Sequence, residues 1–366
     1  MTVTSIVLLI VGIGGLVIGA EGLVRGAARL AARTGMSSVV IGLTVVAFGT
    51  SAPELAVSIG DVLRGSEDAG ALAVGNVVGS NIANILLALG VAAAIGGSLV
   101  VARRIVRIDV PIMIGPSVLV LFMALDEEIT RIEGFILVAA LVAYLVWTVT
   151  AARRQPDLVS DDLAAVVNPE ALQKIPVRVD LSFLVGGLLL LVAGSQALVR
   201  GATDIATDLG VSDLVIGLTV VAIGTSLPEV ATSVLAALRG ERDLAVGNAI
   251  GSNLFNLLAV LGLTASVAPN SIPIAQSTIQ VDLPVMIVVA VACLPIFANG
   301  HVLERWEGAL FFLMYSAYII WLILDAAEHS YRDDYSAAML FFVVPALALT
   351  MVVIGVQSRN ANKHTA

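Results

Sequence analysis

The chain reads as long apolar runs separated by short polar stretches. The runs fall near 4–30, 38–63, 71–98, 105–125, 132–151, 181–203, 213–238, 244–268, 281–299, 306–325 and 337–356. Each is close to the ~20 residues that carry an α-helix across a bilayer core. Apolar residues within them are continuous rather than alternating, so the pattern predicts helices and gives no sign of strands. The first run is too long for a signal-peptide core and has a counterpart near residue 190, so it is read as a retained helix. The expected fold is an all-α polytopic membrane protein.

The runs also repeat. IGLTVVAFGTSAPELAVSI at Ile41 returns as IGLTVVAIGTSLPEVATSV at Ile216. LAVGNVVGSNIANILLALG at Leu72 returns as LAVGNAIGSNLFNLLAVLG at Leu244. The flanks follow: GLVRGA at Gly22 with ALVRGA at Ala197, RIDVPIMI at Arg107 with QVDLPVMI at Gln280, and Glu133-Gly134 with Glu307-Gly308. The spacing places three extra residues in the first copy, around 66–70. Each copy holds five runs. Five is odd, so the second copy enters the membrane from the opposite side. The expected architecture is two inverted-topology five-helix repeats, giving ten core transmembrane helices, plus an eleventh helix at the C-terminus. The first repeat is assigned to 1–152, a cytoplasmic linker to 153–180, the second repeat to 181–330, and the additional helix and tail to 331–366. Inverted repeats give a mid-membrane site two nearly equivalent approaches, as alternating access requires.

Composition sharpens this picture. Charged residues are 13% of the chain against about 25% in soluble domains. With the N-terminus extracellular, fifteen of the nineteen Lys and Arg lie on the inner side, leaving Arg64, Arg131, Arg200 and Arg332 outside. That distribution favours a multi-pass protein of the cell membrane in this orientation. The net charge of −9 resides in loops and speaks against a nucleic-acid partner. Cys293 has no second cysteine to pair with, and His301, His329 and His364 are scattered. Asp109 and Asp282, each two residues before a proline, are read as interfacial caps, and Glu133 and Glu307 as helix N-terminal acids. No Ser/His or Asp/Asp pair is placed for hydrolysis, so the chain is not read as an enzyme and no cofactor is expected.

The chemistry concentrates in two motifs, each present twice. Gly49-Thr50-Ser51-Ala52-Pro53-Glu54 and Gly224-Thr225-Ser226-Leu227-Pro228-Glu229 put a glycine and a proline inside an apolar run. Proline donates no backbone bond, so both helices should open there and free carbonyls near Ala47 and Thr50. Freed backbone is tolerated at membrane depth only against protein or a hydrated cavity. Glu54 and Glu229 follow the prolines with no Lys or Arg in the central part of either run. A carboxylate there is costly unless paired or metal-bound. Inverted symmetry brings the two together at mid-membrane, where they repel unless cations lie between them. Two negative charges match one Ca2+ or two of several Na+ ions. Asn76, Ser80 and Asn84, and equally Asn248, Ser252 and Asn256, fall at i, i+4 and i+8 on one helical face and add neutral oxygens. An all-oxygen set suits Ca2+ or Na+ and argues against zinc, copper or iron.

GTSAPE and GTSLPE, each followed by GNxxGSNxxN, resemble the alpha-repeats of the sodium/calcium exchanger branch of the cation/calcium exchanger superfamily, in its prokaryotic form. The resemblance covers residues from about 10 to 325. It implies secondary active antiport of Na+ for Ca2+ by alternating access, with about three Na+ per Ca2+ bound near the membrane midplane. Its direction would be calcium efflux driven by the sodium gradient. By the same resemblance Glu54 and Glu229 are the principal ligands, and Thr50 and Thr225 offer backbone oxygens. Ala47, Ser51 and Ser80, with Ala222, Ser226 and Ser252, serve sodium. Asn84 and Asn256 hold the centre, and the first helix of each repeat slides. Asn256, where potassium-dependent members carry aspartate, points to the potassium-independent type. The alternative is a proton-coupled calcium antiporter, although the GNxxE motif of that branch is absent. The partners implied are Ca2+, Na+ and the bilayer. Oligomeric state is left open.

Overall fold

The computed structural model describes residues 3–64, 70–154, 176–211, 216, 220 and 222–327. In order, the elements are α1 (Val3–Thr34), α2 (Ser38–Thr50), α3 (Ala52–Arg64), α4 (Leu72–Gly96), β1 (Leu99–Val100), α5 (Ile105–Asp126), β2 (Glu128–Ile129) and α6 (Arg131–Arg154). The second half holds α7 (Val177–Asp208), α8 (Ala222–Thr225), α9 (Leu227–Leu238), α10 (Arg242–Val267), β3 (Ile272–Pro273), α11 (Thr278–Ala298), β4 (Val302–Leu303) and α12 (Arg305–Ala326). Among the described residues, eight helices are long and apolar enough to cross a membrane, and α2–α3 forms a ninth, bent by 41°. The eleventh run and residues 155–175 of the linker lie outside the described residues.

The two halves are inverted copies, and the α1–α7 contact shows it. A Cβ at Gly12 would lie 2.6 Å from Leu198 N, at Gly19 2.7 Å from Gly187 O, and at Gly26 2.8 Å from Leu184 N. Numbers rise along α1 as they fall along α7, so the equivalent first helices run antiparallel. Missing side chains let the two backbones touch, which is how helices associate where lipid supplies no hydrophobic drive. The same relation recurs elsewhere. A Cβ at Gly90 of α4 would meet Gly308 O of α12 at 2.9 Å, and one at Gly134 of α6 would meet Gly262 O of α10 at 2.8 Å.

Two corrections to the sequence reading concern local structure. Four two-residue strands exist where none was expected. β1 pairs with β4 (Leu99↔Leu303) and β2 with β3 (Glu128↔Pro273), both antiparallel. Each ladder stitches one repeat to the other at a helix end, and two residues are too few to leave an alternating pattern. In addition, α7 begins at Val177, inside the expected linker, with Pro176 as its N-cap residue. Asp180 therefore sits in the first helical turn, fully buried, with Arg33 Nε at 2.5 Å and Arg29 Nη1 at 3.6 Å. Replacing Asp180 with alanine removes the carboxylate that Arg29 and Arg33 share. Because Arg29 and Arg33 keep 26% and 19% side-chain exposure, the expected loss is below that of a fully buried pair, about 2 kcal/mol. It should appear as a lower thermal unfolding midpoint of the purified protein, and an unchanged midpoint would show that the trio contributes nothing.

The expected caps at Asp109 and Asp282 are also corrected. Neither side chain caps a helix. π-helical turns at Ile105–Asp109 and Thr278–Asp282 start α5 and α11 earlier, so both aspartates fall inside the helix. There Asp109 Oδ1 accepts from Tyr144 Oη at 3.5 Å, and Asp282 Oδ1 accepts from Tyr318 Oη at 2.9 Å. Asp109 also has Arg104 Nε at 3.4 Å. Glu133 and Glu307 act as read: each carboxylate accepts a backbone N–H at its helix start, from Thr130 and Glu304 respectively, both at 2.8 Å.

The centre of the molecule is α4 and α10. In their most apolar stretches 78% and 83% of residues are buried, against 22% to 44% in the other unbroken spans, which turn a face to lipid. Both helices carry a π-helical turn at the same place, Asn84–Leu89 and Asn256–Leu261. Such turns insert a residue, shift the helix phase and often mark functional sites.

Candidate cation site

The site forms where α2–α3 and α8–α9 break. Pro53 and Pro228 stand early in α3 and α9 and have no N–H to donate. Ser51 and Ser226 take nearly the same conformation at the two breaks, φ −83° and ψ 4° for one, φ −85° and ψ 0° for the other. The chain continues helically because Leu55 N bonds Ser51 O at 3.2 Å and Val230 N bonds Ser226 O at 3.0 Å. One part of the sequence expectation fails. The Ala47 carbonyl is not freed, since it accepts from Ser51 N at 3.0 Å and from Thr50 Oγ1 at 3.4 Å.

Each break places a glutamate in the first turn of the following helix. Glu54 and Glu229 are both fully buried. Helix N-termini favour negative charge, which helps hold these carboxylates where no arginine or lysine among the described residues forms an ion pair with them. On each, one oxygen is bonded to a hydroxyl. Ser80 Oγ donates to Glu54 Oε1 at 3.4 Å, and Ser51 Oγ donates to Glu229 Oε1 at 3.4 Å. Ser226 Oγ donates to Ser80 Oγ at 3.1 Å. The first carboxylate is thus linked to the second repeat's break through Ser80 and Ser226. The second is linked to the first repeat's break through Ser51.

The remaining oxygens are left over. Among the described residues, Glu54 Oε2, Glu229 Oε2 and both side-chain polar atoms of Asn84 and Asn256 are buried with no hydrogen-bond partner. An unmet polar atom inside protein costs about 1–3 kcal/mol, and more when charged. Two carboxylates with orphan oxygens, flanked by hydroxyls, supply what a hard cation needs. Among the described residues no group of three or more His, Cys, Asp or Glu is placed to hold a metal, so neutral oxygens would have to complete any coordination shell.

Most residues singled out from the sequence meet here. Thr50 Oγ1 lies 3.3 Å from Ser252 Oγ and 3.3 Å from Asn248 Oδ1, and Thr225 Oγ1 lies 3.4 Å from Asn76 Oδ1. Ala47 is buried against α10, where a Cβ at Gly251 would come within 2.8 Å of its own Cβ. Ala222 opens α8. Sequence reasoning passed over Ser58 and Ser233, both fully buried and each bonded to an asparagine of the second motif at 3.1 Å. Their signal was available: each follows its glutamate by four residues in both repeats.

With this geometry in place, comparison with known proteins is decisive. The sequence model described as "Sodium/calcium exchanger protein" matches residues 4–150 and 180–324. The chain belongs to the sodium/calcium exchanger family. This exchanger is 32% identical over 318 residues to the sodium/calcium exchanger MaX1 of Methanosarcina acetivorans, covering 78% of this chain and 89% of the relative. It is 44% identical over 242 residues to the putative antiporter CaxA of Alkalimonas amylolytica, covering 66% and 74%. Solved structures of the sodium-calcium exchanger NCX_Mj superpose with a TM-score of 0.73 at 29% identity, covering 87% of this chain and 99% of the other. The exchanger is accordingly a helical membrane antiporter built from two inverted repeats, and not an enzyme.

Proposed function

We propose that this exchanger moves Ca2+ against Na+ across the cell membrane by alternating access. In this reading Glu54 and Glu229, one from each repeat, are the shared ligands of a single Ca2+ ion. The observation that carries it is the pair of fully buried carboxylates, each with one oxygen on a serine and the other without a partner. Thr50 and Thr225 would offer backbone oxygens, and Asn84 and Asn256 their unpartnered amide oxygens. Ser51, Ser80, Ser226 and Ser252 would complete the sodium positions with their hydroxyl oxygens, and Ala47, whose carbonyl is already bonded within its helix, would line them rather than ligate. The names of MaX1 and NCX_Mj, which specify sodium and calcium, support this choice of ions.

The coupling follows from charge. Ca2+ and Na+ compete for the same two carboxylates, so the site holds one cargo or the other. Either cargo neutralises charge that would otherwise be exposed to low dielectric as the protein changes state. An empty site stays charged and resists the change, which gives exchange rather than leak.

We read the N-terminus as extracellular, and an inwardly directed sodium gradient would drive calcium out of the cell. The α10 start, the β1–β4 ladder and the α12 start then share the inner face, with Arg103, Arg107, Arg242 and Arg305. Its local field is positive: His301 sits below the usual imidazole range through burial and the neighbouring Arg103 and Arg107 charges. Positive residues favour the cytoplasmic side.

The test is radiolabelled Ca2+ uptake into proteoliposomes. Uptake should require internal Na+ and persist when pH is equal on both sides. Uptake driven by a pH gradient without Na+ would replace this reading with proton coupling, and flux with no counter-ion would end it.

A further inference from the structure

Asn76 and Asn248 bond to the glutamates' main chain rather than to their carboxylates. Asn76 Nδ2 donates to the Glu54 carbonyl oxygen at 3.2 Å and to Ser58 Oγ at 3.1 Å. Asn248 Nδ2 donates to the Glu229 carbonyl oxygen at 3.5 Å and to Ser233 Oγ at 3.1 Å. A carbonyl only accepts, so the amide nitrogen must face it, and this fixes the orientation of both side chains. The amide oxygens therefore point the other way, toward the opposite repeat. Asn76 Oδ1 meets Thr225 Oγ1 at 3.4 Å, and Asn248 Oδ1 meets Thr50 Oγ1 at 3.3 Å. Each of these clamp bonds has its counterpart in the other half.

We propose that Asn76 and Asn248 are positioning residues, each of which ties the glutamate-bearing helix of its own repeat to the helix break of the opposite repeat and so sets the spacing of the two carboxylates. The inference rests on the calcium-binding reading of Glu54 and Glu229. Three properties of the site support it. Asn248 and Ser233 are fully buried, so the clamp they form is shielded from competing water; on the other side Ser58 is fully buried while Asn76 is half-buried. Asn76 stands on α4 and Asn248 on α10, the two most buried spans, which makes them fixed posts against which the broken helices are held. The clamps also cross: Asn76 joins Glu54 to Thr225, and Asn248 joins Glu229 to Thr50. A displacement of either break is transmitted to the other repeat's glutamate through a single amide. Groups that orient metal ligands without touching the metal typically change affinity by about 10–100-fold when removed.

The experiment is calorimetric titration of Ca2+ into the purified full-length exchanger, with Na+ replaced by choline, for wild type, Asn248→Ala, Ser233→Ala and the double variant. Unfolding midpoints are recorded alongside. Asn248→Ala should weaken Ca2+ binding about 10-fold or more. Ser233→Ala, which removes one bond of the clamp, should weaken it less. The double variant should match Asn248→Ala, because Ser233 acts through the asparagine. Asn248→Asp, which keeps the acceptor toward Thr50 and loses the donor toward Glu229, should not restore affinity. Wild-type affinity in Asn248→Ala would overturn the proposal, as would additive losses in the double variant. If Asn248→Ala does not fold, Ser233→Ala and the mirrored Ser58→Ala carry the test, and wild-type affinity in both would overturn it. Absence of Ca2+ binding in the wild-type protein would instead remove the functional reading itself, so the two failures are distinguishable.

Discussion

Glu54→Gln and Glu229→Gln should each reduce Na+-dependent Ca2+ exchange in proteoliposomes by about 100-fold or more, equivalent to about 2.7 kcal/mol. Glutamine keeps the size of the side chain and an acceptor oxygen, so Ser80 and Ser51 retain a partner and the fold should survive. What it removes is one of two negative charges. The remaining carboxylate cannot balance a divalent ion, and no Lys or Arg among the described residues changes that arithmetic at mid-membrane. The effect should be similar at both positions, because each glutamate is fully buried, has a serine on Oε1, an orphan Oε2 and an asparagine on its main-chain carbonyl, although the serine comes from its own repeat for Glu54 and from the opposite repeat for Glu229. Equal loss is the signature of one shared ion. A variant that retained wild-type exchange would show that its carboxylate is not a ligand.

Gly187→Ala should damage the exchanger by a different route, through stability first and exchange second. A Cβ at Gly187 would lie 2.5 Å from Leu23 N and 2.6 Å from Gly19 O. Both are backbone atoms and cannot turn aside, so α1 and α7 must separate along their shared face. Overpacking of this kind costs typically 1–3 kcal/mol, and more where backbones are already in contact. The neighbouring Gly186 supplies the control, since a Cβ there meets nothing within 4 Å. Gly187→Ala is expected to lower the unfolding midpoint and cut exchange about tenfold, while Gly186→Ala leaves both near wild type. Equal behaviour of the two variants would show that close α1–α7 approach is dispensable.

Much of this was legible in the sequence because duplication writes each signal twice. The runs gave the nine spans seen among the described residues, five runs per copy gave inversion, and the paired GTSxPE and GNxxGSNxxN segments gave most of the residues that meet at the centre. The misses have physical causes. The π-helical turns at Ile105–Asp109 and Thr278–Asp282 shift helix phase, and a pattern with a 3.6-residue period cannot anticipate where a residue is inserted. Asp109 and Asp282 were displaced from cap to interior for that reason. Asp180 was assigned to a linker because its partners, Arg29 and Arg33, come from the other repeat some 150 residues away. The Ala47 carbonyl looked free because proline removes one donor, yet Ser51 N–H and the Thr50 hydroxyl both reach it. Asn76 and Asn248 lay within the motifs, but only the geometry separates a group that faces an ion from one that holds the group that does.

The central claim is that two inverted repeats contribute one carboxylate each to a single Ca2+ site that Na+ also occupies. Equilibrium Ca2+ binding to the purified exchanger, titrated at increasing Na+, tests it most directly. The account predicts a stoichiometry of one Ca2+ per chain, with an apparent affinity that falls steeply as Na+ rises and is unaffected by choline at equal ionic strength. Two Ca2+ ions per chain, or an affinity indifferent to Na+, would contradict it.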